Sequence, residues 1–199
     1  MTDIKKIAPY GSWQSSITSE KIISSGNSYT DLHIEKGVTY WIEMRPQEEG
    51  RCVIVQRSED NSVHDVIPKP FSARTTVHEY GGGSFTTCDE VIYFVNFADQ
   101  KIYRYGPKDQ RPIAITNDEG DIRYANFITD RKRRRLISIE ENHTAKEEAI
   151  NTLVSIPING KGPKANLTSG ADFYSSPVLN PSSNTLAWGP MESSKYAMG

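Results

Sequence analysis

A repeating order of strand-like runs is the feature of this sequence that most constrains its fold. Four apolar and aromatic runs, with centres about 40 to 50 residues apart, lie at 38–43, 91–96, 136–140 and 185–188. A weaker run precedes each of them, and two further runs follow each of the first three. Four strands in a unit of this length are typical of a β-propeller blade. The sequence therefore predicts an all-β fold: a partial β-propeller with about three complete four-stranded blades and the start of a fourth.

The same repeat predicts the domain boundaries. We expect an N-terminal segment at 1–28, a propeller at 29–188 and an atypical C-terminal tail at 189–199. The four successive blades of the propeller are expected at 29–70, 83–117, 123–170 and 171–188. The last strand is expected to end at Trp188, so that the fourth blade stops after its second strand. Helical patterning is almost absent, and only 144–150 predicts a short turn of helix inside a loop.

Composition and charge exclude several classes of function. With 23 basic and 25 acidic residues, the net charge of -2 gives no field that would attract nucleic acid or an anionic membrane. The sequence has no signal peptide pattern and no apolar run of about 18 residues, so we expect a cytoplasmic protein. Cys52 and Cys88 each lie in a run of alternating apolar residues, which favours two buried free thiols over a disulfide.

The most unusual stretch is "RTTVHEYGGGSF" at 74–85. A zinc-protease helix requires a second histidine three positions after the His-Glu pair, but Gly82 stands there. A phosphate-binding loop requires spaced glycines leading into a helix, but a strand-like run follows. The interpretation that remains places Gly81, Gly82 and Gly83 at the crossing between blades, where the backbone needs positive φ or close approach. No metal site and no cofactor are predicted.

Four polar side chains accompany this crossing near one mouth of the propeller channel: Arg74, His78, Glu79 and Tyr80. One interpretation is a structural cluster of ion pairs and hydrogen bonds that holds the crossing in place. The other is a patch that contacts a ligand or a partner domain.

Three further patterns carry no site. The basic run at 131–135 falls between two strands of the third blade, which predicts a solvated hairpin turn. The acidic run at 117–121 lacks the ligand spacing of a calcium loop and predicts a turn between blades. The Gly-x-Ser-x-Gly motif of a nucleophilic serine does not occur in the sequence, and the four histidines have no evident serine or cysteine partner. No catalytic residue is therefore assigned.

Several segments together resemble a known family over 8–188. They occur in this order: "PYGSWQSSIT" (9–18), "YWIEMRPQEEGR" (40–51), "RTTVHEYGGGSF" (74–85), "RYANF" (123–127), "NTLVSIPINGKG" (151–162) and "ADFYSSPVLNP" (171–181). The chain closely resembles the N-terminal propeller of prolyl oligopeptidase family serine peptidases, in the acylaminoacyl-peptidase or dipeptidyl-aminopeptidase-like branch. Asn126 and Asn142 stand where the family pattern carries Asp.

The resemblance implies that such a propeller caps an α/β-hydrolase domain, limits access by size and contacts the end of a peptide substrate. Under this hypothesis Glu79 would hold a substrate ammonium, and Arg74 a carbonyl or carboxylate oxygen. The Ser, Asp and His of that domain would lie beyond Gly199, so this chain is expected to be inactive alone. A second hypothesis is a non-enzymatic interaction module that binds a partner or a second copy of itself through its open blade edges.

Overall fold

The computed structural model describes residues 7–12, 15–23, 26–144 and 148–192, and strands dominate these ranges. The strands are β1 (Ser28–Glu35), β2 (Val38–Arg45), β3 (Arg51–Arg57), β4 (Val63–Asp65), β5 (Phe85–Cys88), β6 (Val91–Val95), β7 (Ile102–Tyr105), β8 (Ile113–Ala114), β9 (Ile122–Asp130), β10 (Arg135–Asn142), β11 (Ile150–Pro157), β12 (Ala165–Ser169), β13 (Phe173–Leu179) and β14 (Leu186–Met191). A five-residue helix, α1 (Ser19–Ile23), and a 3-10 turn (Pro46–Glu48) complete the elements described.

The strands form successive antiparallel sheets in chain order. Within the described ranges there are three four-stranded sheets, β1–β4, β5–β8 and β9–β12, and a two-stranded sheet of β13 and β14. Each strand pairs with its neighbour in the chain, and the first strands of adjacent sheets contact one another. This is the meander of propeller blades. The predicted fold class, a partial β-propeller with three complete blades and the start of a fourth, is confirmed.

The alternating direction of side chains along a strand explains how neighbouring blades pack against each other. In β6, Ile92 and Phe94 belong to the apolar cluster shared with the first blade, whereas Tyr93 and Val95 belong to the cluster shared with the third. Successive side chains of a strand point to opposite faces, so both faces of the second blade are buried. A continuous apolar run results, and this is why the strand is easily recognised in the sequence.

The first strand of a blade is irregular in three of the four sheets. The register of β1, β9 and β13 shifts within the strand, and each contains a residue in the left-handed region: Asp31 (φ 51°), Asn126 (φ 56°) and Ser176 (φ 48°). These are β-bulges, which bend a strand and re-aim a side chain. Asp and Asn adopt positive φ more readily than most residues do.

Two details differ from the sequence-based expectations. The helix α1 was not predicted. The last strand was expected to end at Trp188, but β14 continues to Met191, and Gly189 and Pro190 pair with Ser175 and Tyr174 of β13. β14 is the edge of its sheet, and an edge strand accepts a proline because one side of it carries no ladder hydrogen bonds. The helical turn predicted at 144–150 includes 145–147, and the predicted tail includes 193–199; both segments lie outside the described residues.

The other local predictions can be compared directly. Cys52 and Cys88 are free and buried, as expected, and burial raises the pKa of both thiols. The basic run forms the turn between β9 and β10. There the fully buried Asp130 accepts hydrogen bonds of 3.0 Å from both Arg133 and Arg135.

In the described part of the chain, no helix is long and apolar enough to cross a membrane.

Candidate functional site at the glycine-rich crossing

The glycine-rich crossing between β4 and β5 is held from both sides by bulged strands. The Asp31 carboxylate of β1 accepts the backbone N–H of Ser84 at 3.1 Å. On the other side, the Asn126 side chain of β9 accepts the N–H of Gly83 at 2.8 Å, and the Gly83 carbonyl accepts the N–H of Asn126 at 2.7 Å. Asp31 and Asn126, from the blades on either side, therefore fix two successive residues of the crossing, Gly83 and Ser84.

A side chain is disfavoured at each of the three glycines of the crossing, for steric reasons that differ among them. Gly81 has a φ of 89°, a conformation that disfavours any side chain. A Cβ at Gly82 would lie 3.2 Å from the Asn126 Oδ1 atom, and a Cβ at Gly83 would lie 3.1 Å from it. Close backbone approach, one of the two reasons given from the sequence, applies to the second and third glycines, and positive φ applies to the first.

The loop that precedes the glycines reaches across to the third blade. There the Glu141 carboxylate at the end of β10 accepts the backbone N–H of His78 at 3.0 and 3.2 Å. The His78 ring contacts the Asn151 Oδ1 atom at 3.0 Å and packs edge-on against Phe173. His143 brings its Nε2 atom to 3.0 Å from the same carboxylate without hydrogen-bonding geometry. Glu141 is therefore a nearly buried charge that ties the loop to the third blade.

Arg123, at the start of β9, completes this cluster. Its guanidinium donates to the Glu79 carboxylate at 2.6 Å, to the carbonyl of Thr76 at 3.0 Å and to Asp121 at 3.2 Å. The hydrogen bond and charge of Arg123 hold the pKa of the Glu79 carboxyl below its ordinary value. Because the Glu79 side chain is 74% exposed, its ion pair contributes little to stability.

Three segments that carry the family resemblance therefore meet around Glu141: they contribute the His-Glu pair, Arg123 and Asn151. Sequence reasoning did not assign roles to Arg123, Glu141 or Asn151, because their partners lie 44 to 73 residues away in the chain. No group of three or more His, Cys, Asp or Glu side chains in the described ranges is arranged to hold a metal ion.

Arg74 and Tyr80 lie apart from this cluster, on the side of the crossing that faces the first blade. The Arg74 guanidinium lies 5.0 Å from the centre of the Phe97 ring and forms no ion pair with a described residue. Tyr80 is 92% exposed. The four predicted residues thus divide into two pairs: His78 and Glu79 bind the third blade, whereas Arg74 and Tyr80 border a cleft.

That cleft has a volume of about 410 Å³. Arg74, Tyr80 and Asp31 are its principal polar side chains, and Ile42, Met44, Cys52 and Ala73 are apolar residues of its lining. A second cleft, of about 540 Å³, shares Met44 and Arg74 with the first. The two clefts are therefore adjacent, with Met44 and Arg74 lining both; together they are called the groove.

The protein is a partial β-propeller, as its blades, the bulged first strands of three of them and the glycine-rich crossing show. A polar groove borders that crossing. A scan against protein-family models and a search of curated proteins gave no match. Among solved structures, the chain is similar to a puromycin-hydrolyzing peptidase of Mycobacterium tuberculosis, with a TM-score of 0.84 and 27% sequence identity. The alignment covers 94% of this chain and 31% of that chain.

Two other structures show the fold alone. Puromycin hydrolase matches with the same TM-score of 0.84 at 23% identity, again over 94% of this chain and 31% of that chain. A chain of a nidogen/laminin complex matches with a TM-score of 0.58 at 12% identity, over 82% of this chain and 57% of that chain. The similarity to the M. tuberculosis peptidase confirms the resemblance drawn from the sequence: the chain matches the propeller portion of a prolyl oligopeptidase family peptidase.

Proposed function

We propose that this chain is the propeller portion of a serine peptidase, and that it gates and orients peptide substrates for an α/β-hydrolase domain. The observation that carries the proposal is the similarity to the M. tuberculosis puromycin-hydrolyzing peptidase over 94% of the chain. The chain spans 31% of the length of that peptidase. The proposed substrates are short peptides and aminoacyl amides of the puromycin type.

The described residues support a role in access and orientation rather than in bond cleavage. No histidine ring among them is hydrogen-bonded to a serine or cysteine; His78 contacts Asn151, and His143 contacts Glu141. A serine nucleophile needs such a base within about 3 Å. The proposal therefore assigns hydrolysis to the α/β-hydrolase domain and not to these described residues.

Gating requires a rigid segment at the entrance that excludes large substrates. The crossing supplies one, because Asp31 and Asn126 fix its backbone from two blades and Glu141 anchors the loop ahead of it. Hydrogen bonds to ionised acceptors are about twice as strong as neutral ones. The predicted channel-mouth residues Arg74 and Tyr80 lie beside this fixed segment, so a substrate that enters would meet a preorganised surface.

A substrate-length series tests the gating role. The native protein, captured from its source cells with an antibody against the propeller, is assayed on puromycin, on peptides of increasing length and on an unfolded protein. The proposal predicts a steep fall in kcat/KM beyond short peptides, with puromycin hydrolysed. Equal cleavage of the unfolded protein and the short peptides would contradict gating, and absence of all hydrolysis would contradict the peptidase itself.

The exposed apolar residues of β1 favour a second candidate, a module that binds a protein partner or a second copy of itself. Leu32 and Ile34 are 69% and 70% exposed, and Val178 of β13 is 58% exposed. Exposed apolar strands are open to pairing with another chain. Light scattering on the 199-residue chain distinguishes the two: a defined, concentration-dependent dimer supports the module, and a monomer or a continuous ladder of aggregates counts against it.

A further inference from the structure

A small cleft between the second and third blades is lined by two arginines from different blades. Arg104 lies in β7, and Arg134 lies in the turn between β9 and β10. The cleft has a volume of about 290 Å³. Cys88, the last residue of β5, also lines it, whereas the glycine-rich crossing lies just before the first residue of β5. The cleft is therefore at the opposite end of the blade strands from the groove.

Arg104 is fixed in place by a largely buried acid. The Asp109 carboxylate accepts two hydrogen bonds from one terminal nitrogen of the Arg104 guanidinium, at 3.0 and 2.9 Å. The same carboxylate accepts the backbone N–H of Gly106 at 2.9 Å. The Nε–H of Arg104 is buried and has no acceptor among the described residues. Because buried N–H groups nearly always have a partner, a donor that is held in place without one is available to a ligand.

The Tyr93 hydroxyl adds a second donor beside Arg104. Tyr93 of β6 pairs directly with Arg104 of β7, so the two side chains share one face of the second blade. That face packs against the third blade. Burial raises the pKa of the Tyr93 phenol to about 12, although the charges of Arg104 and Arg134 act in the opposite direction. The hydroxyl therefore keeps its proton at neutral pH and can donate a hydrogen bond.

The third blade contributes a positive charge from the basic run. The other three arginines of the run form ion pairs, whereas Arg134 forms none with a described residue. Its backbone is held at a φ of 51°, and its carbonyl accepts the N–H of Ile158 at 3.1 Å. Asn159, the next residue, lines the same cleft and accepts the N–H of Lys161 through its side-chain oxygen. The amide nitrogen of Asn159 is therefore a further donor at the rim.

One acid, Asp89, also lines the cleft. Its carboxylate lies 3.4 Å from Arg131 and 3.7 Å from Lys36, so two other cations balance its charge. The cleft thus combines the unpaired charge of Arg134 with N–H and O–H donors that come from two blades. Donors from several directions fit the oxygens of a tetrahedral anion, and arginine is the side chain best suited to phosphate.

We propose that this cleft binds a phosphate group, free or carried by a small ester, between the second and third blades. Arg134 supplies the charge, and the Arg104 Nε–H and the Tyr93 O–H donate to the phosphate oxygens. Val91 and Ile158 line the remainder of the cleft, which suits the carbon skeleton of an ester. The bound phosphate stabilises the contact between the two blades, because it binds only when both are in place. This site does not depend on the proposed peptidase function.

Calorimetric titration of the 199-residue chain with inorganic phosphate and with phenyl phosphate tests this inference. Each titration is made at constant ionic strength set with sodium chloride, so that screening of surface charge does not contribute. We expect saturable binding of both ligands. Tighter binding of phenyl phosphate assigns the site to an ester, and tighter binding of inorganic phosphate assigns it to the free anion.

Three substitutions test the individual contacts. Tyr93→Phe removes only the hydroxyl. Arg104→Lys keeps a positive charge beside Asp109 but removes the Nε–H. Arg134→Asn removes the unpaired charge and keeps a residue that accepts positive φ. Each variant should bind phosphate about tenfold more weakly than the wild type. Lys132→Asn is the matched control, since it removes a charge from the same turn at a position that does not line the cleft, and it should leave the affinity unchanged.

Folding of each variant is verified by its thermal unfolding midpoint without phosphate. Tyr93→Phe keeps the ring that packs between the blades, and Lys132→Asn changes an exposed position, so both are expected to fold. Absence of saturable binding by the wild-type chain would overturn the inference. So would equal losses of affinity in Arg134→Asn and Lys132→Asn, because they would show a general effect of surface charge.

Discussion

The Glu141 carboxylate accepts the backbone N–H of His78 through both of its oxygens, at 3.0 and 3.2 Å. The two residues are 63 positions apart in the chain, and this contact joins the loop that follows the first blade to the third blade. Because Glu141 is only 5% exposed at its side chain, the contact is a charge-assisted hydrogen bond in a largely desolvated place. The loop ahead of the crossing depends on this contact for its position.

Replacing Glu141 should therefore loosen the crossing. Glu141→Gln keeps the size of the side chain but removes the charge shared by the His78 N–H, His143 and Arg123. We expect the free energy of unfolding to fall by about 2 kcal/mol, measured by urea denaturation. We also expect faster amide exchange in 76–81. Glu79→Gln, the exposed control, should remain close to wild type on both readouts; equal losses in the two variants would contradict the anchoring role.

The first glycine of the crossing should be sensitive to any side chain. Gly81→Ala places a Cβ at a φ of 89°, and 3.0 Å from the carbonyl oxygen of Thr75. The matched control is Gly50→Ala, since Gly50 has a φ of 76° with nothing within 4 Å. The control should lose about 1 kcal/mol of unfolding free energy through backbone strain alone. Gly81→Ala should lose measurably more, and an equal loss would show that the Thr75 carbonyl yields freely.

The turn formed by the basic run should owe its stability to one buried acid. Asp130 is fully buried and accepts hydrogen bonds from Arg133 and Arg135. Asp130→Ala should lower the free energy of unfolding by about 2 kcal/mol, because the backbone N–H of Arg133 and two partly exposed guanidinium groups lose their acceptor. Lys132→Ala, in the same turn, should change it by less than about 0.5 kcal/mol. Loss of nucleic-acid binding in the lysine variant would instead indicate a functional basic patch.

Stability of the first blade should decline in acid through Glu48. Hydrogen bonds from Arg51, Arg45 and Lys69 outweigh burial and lower the pKa of the Glu48 carboxyl from 4.5 to about 2. A carboxyl with a depressed pKa in the folded state contributes stability that is fully present above its unfolded pKa, and loses it as the pH falls through the folded pKa.

The corresponding measurement is a series of urea denaturations between pH 6 and pH 2. The wild type should lose stability between about pH 4.5 and pH 2, and Glu48→Gln should show a flatter profile in that window. Glu49→Gln removes the same charge from the neighbouring exposed position and should follow the wild type. A variant at Glu48 with an unchanged acid profile would show that its ion pairs do not contribute to folding.

Sequence patterns predicted the blades well because the strands of a propeller are buried on both faces and repeat. Sequence patterns did not predict the contacts between blades. The partner of His78, for example, depends on how one sheet packs against another. The bulge at Asp31 left no signal either, because an aspartate at positive φ cannot be distinguished from one in a regular strand. The extension of β14 past Trp188 was missed for a related reason. A proline such as Pro190 disfavours a strand only where both sides of that strand are hydrogen-bonded. Whether a strand lies at the edge of its sheet depends on the tertiary fold.

The proposed function requires this chain to be the propeller portion of a larger serine peptidase. The most direct measurement is the intact mass of the native polypeptide in its source cells, together with its labelling by a fluorophosphonate, which reacts with activated serines. We predict a polypeptide about three times as long as this chain, as in the peptidase of which it covers 31%, and covalent labelling. A native polypeptide of 22.3 kDa that takes up no label would contradict it.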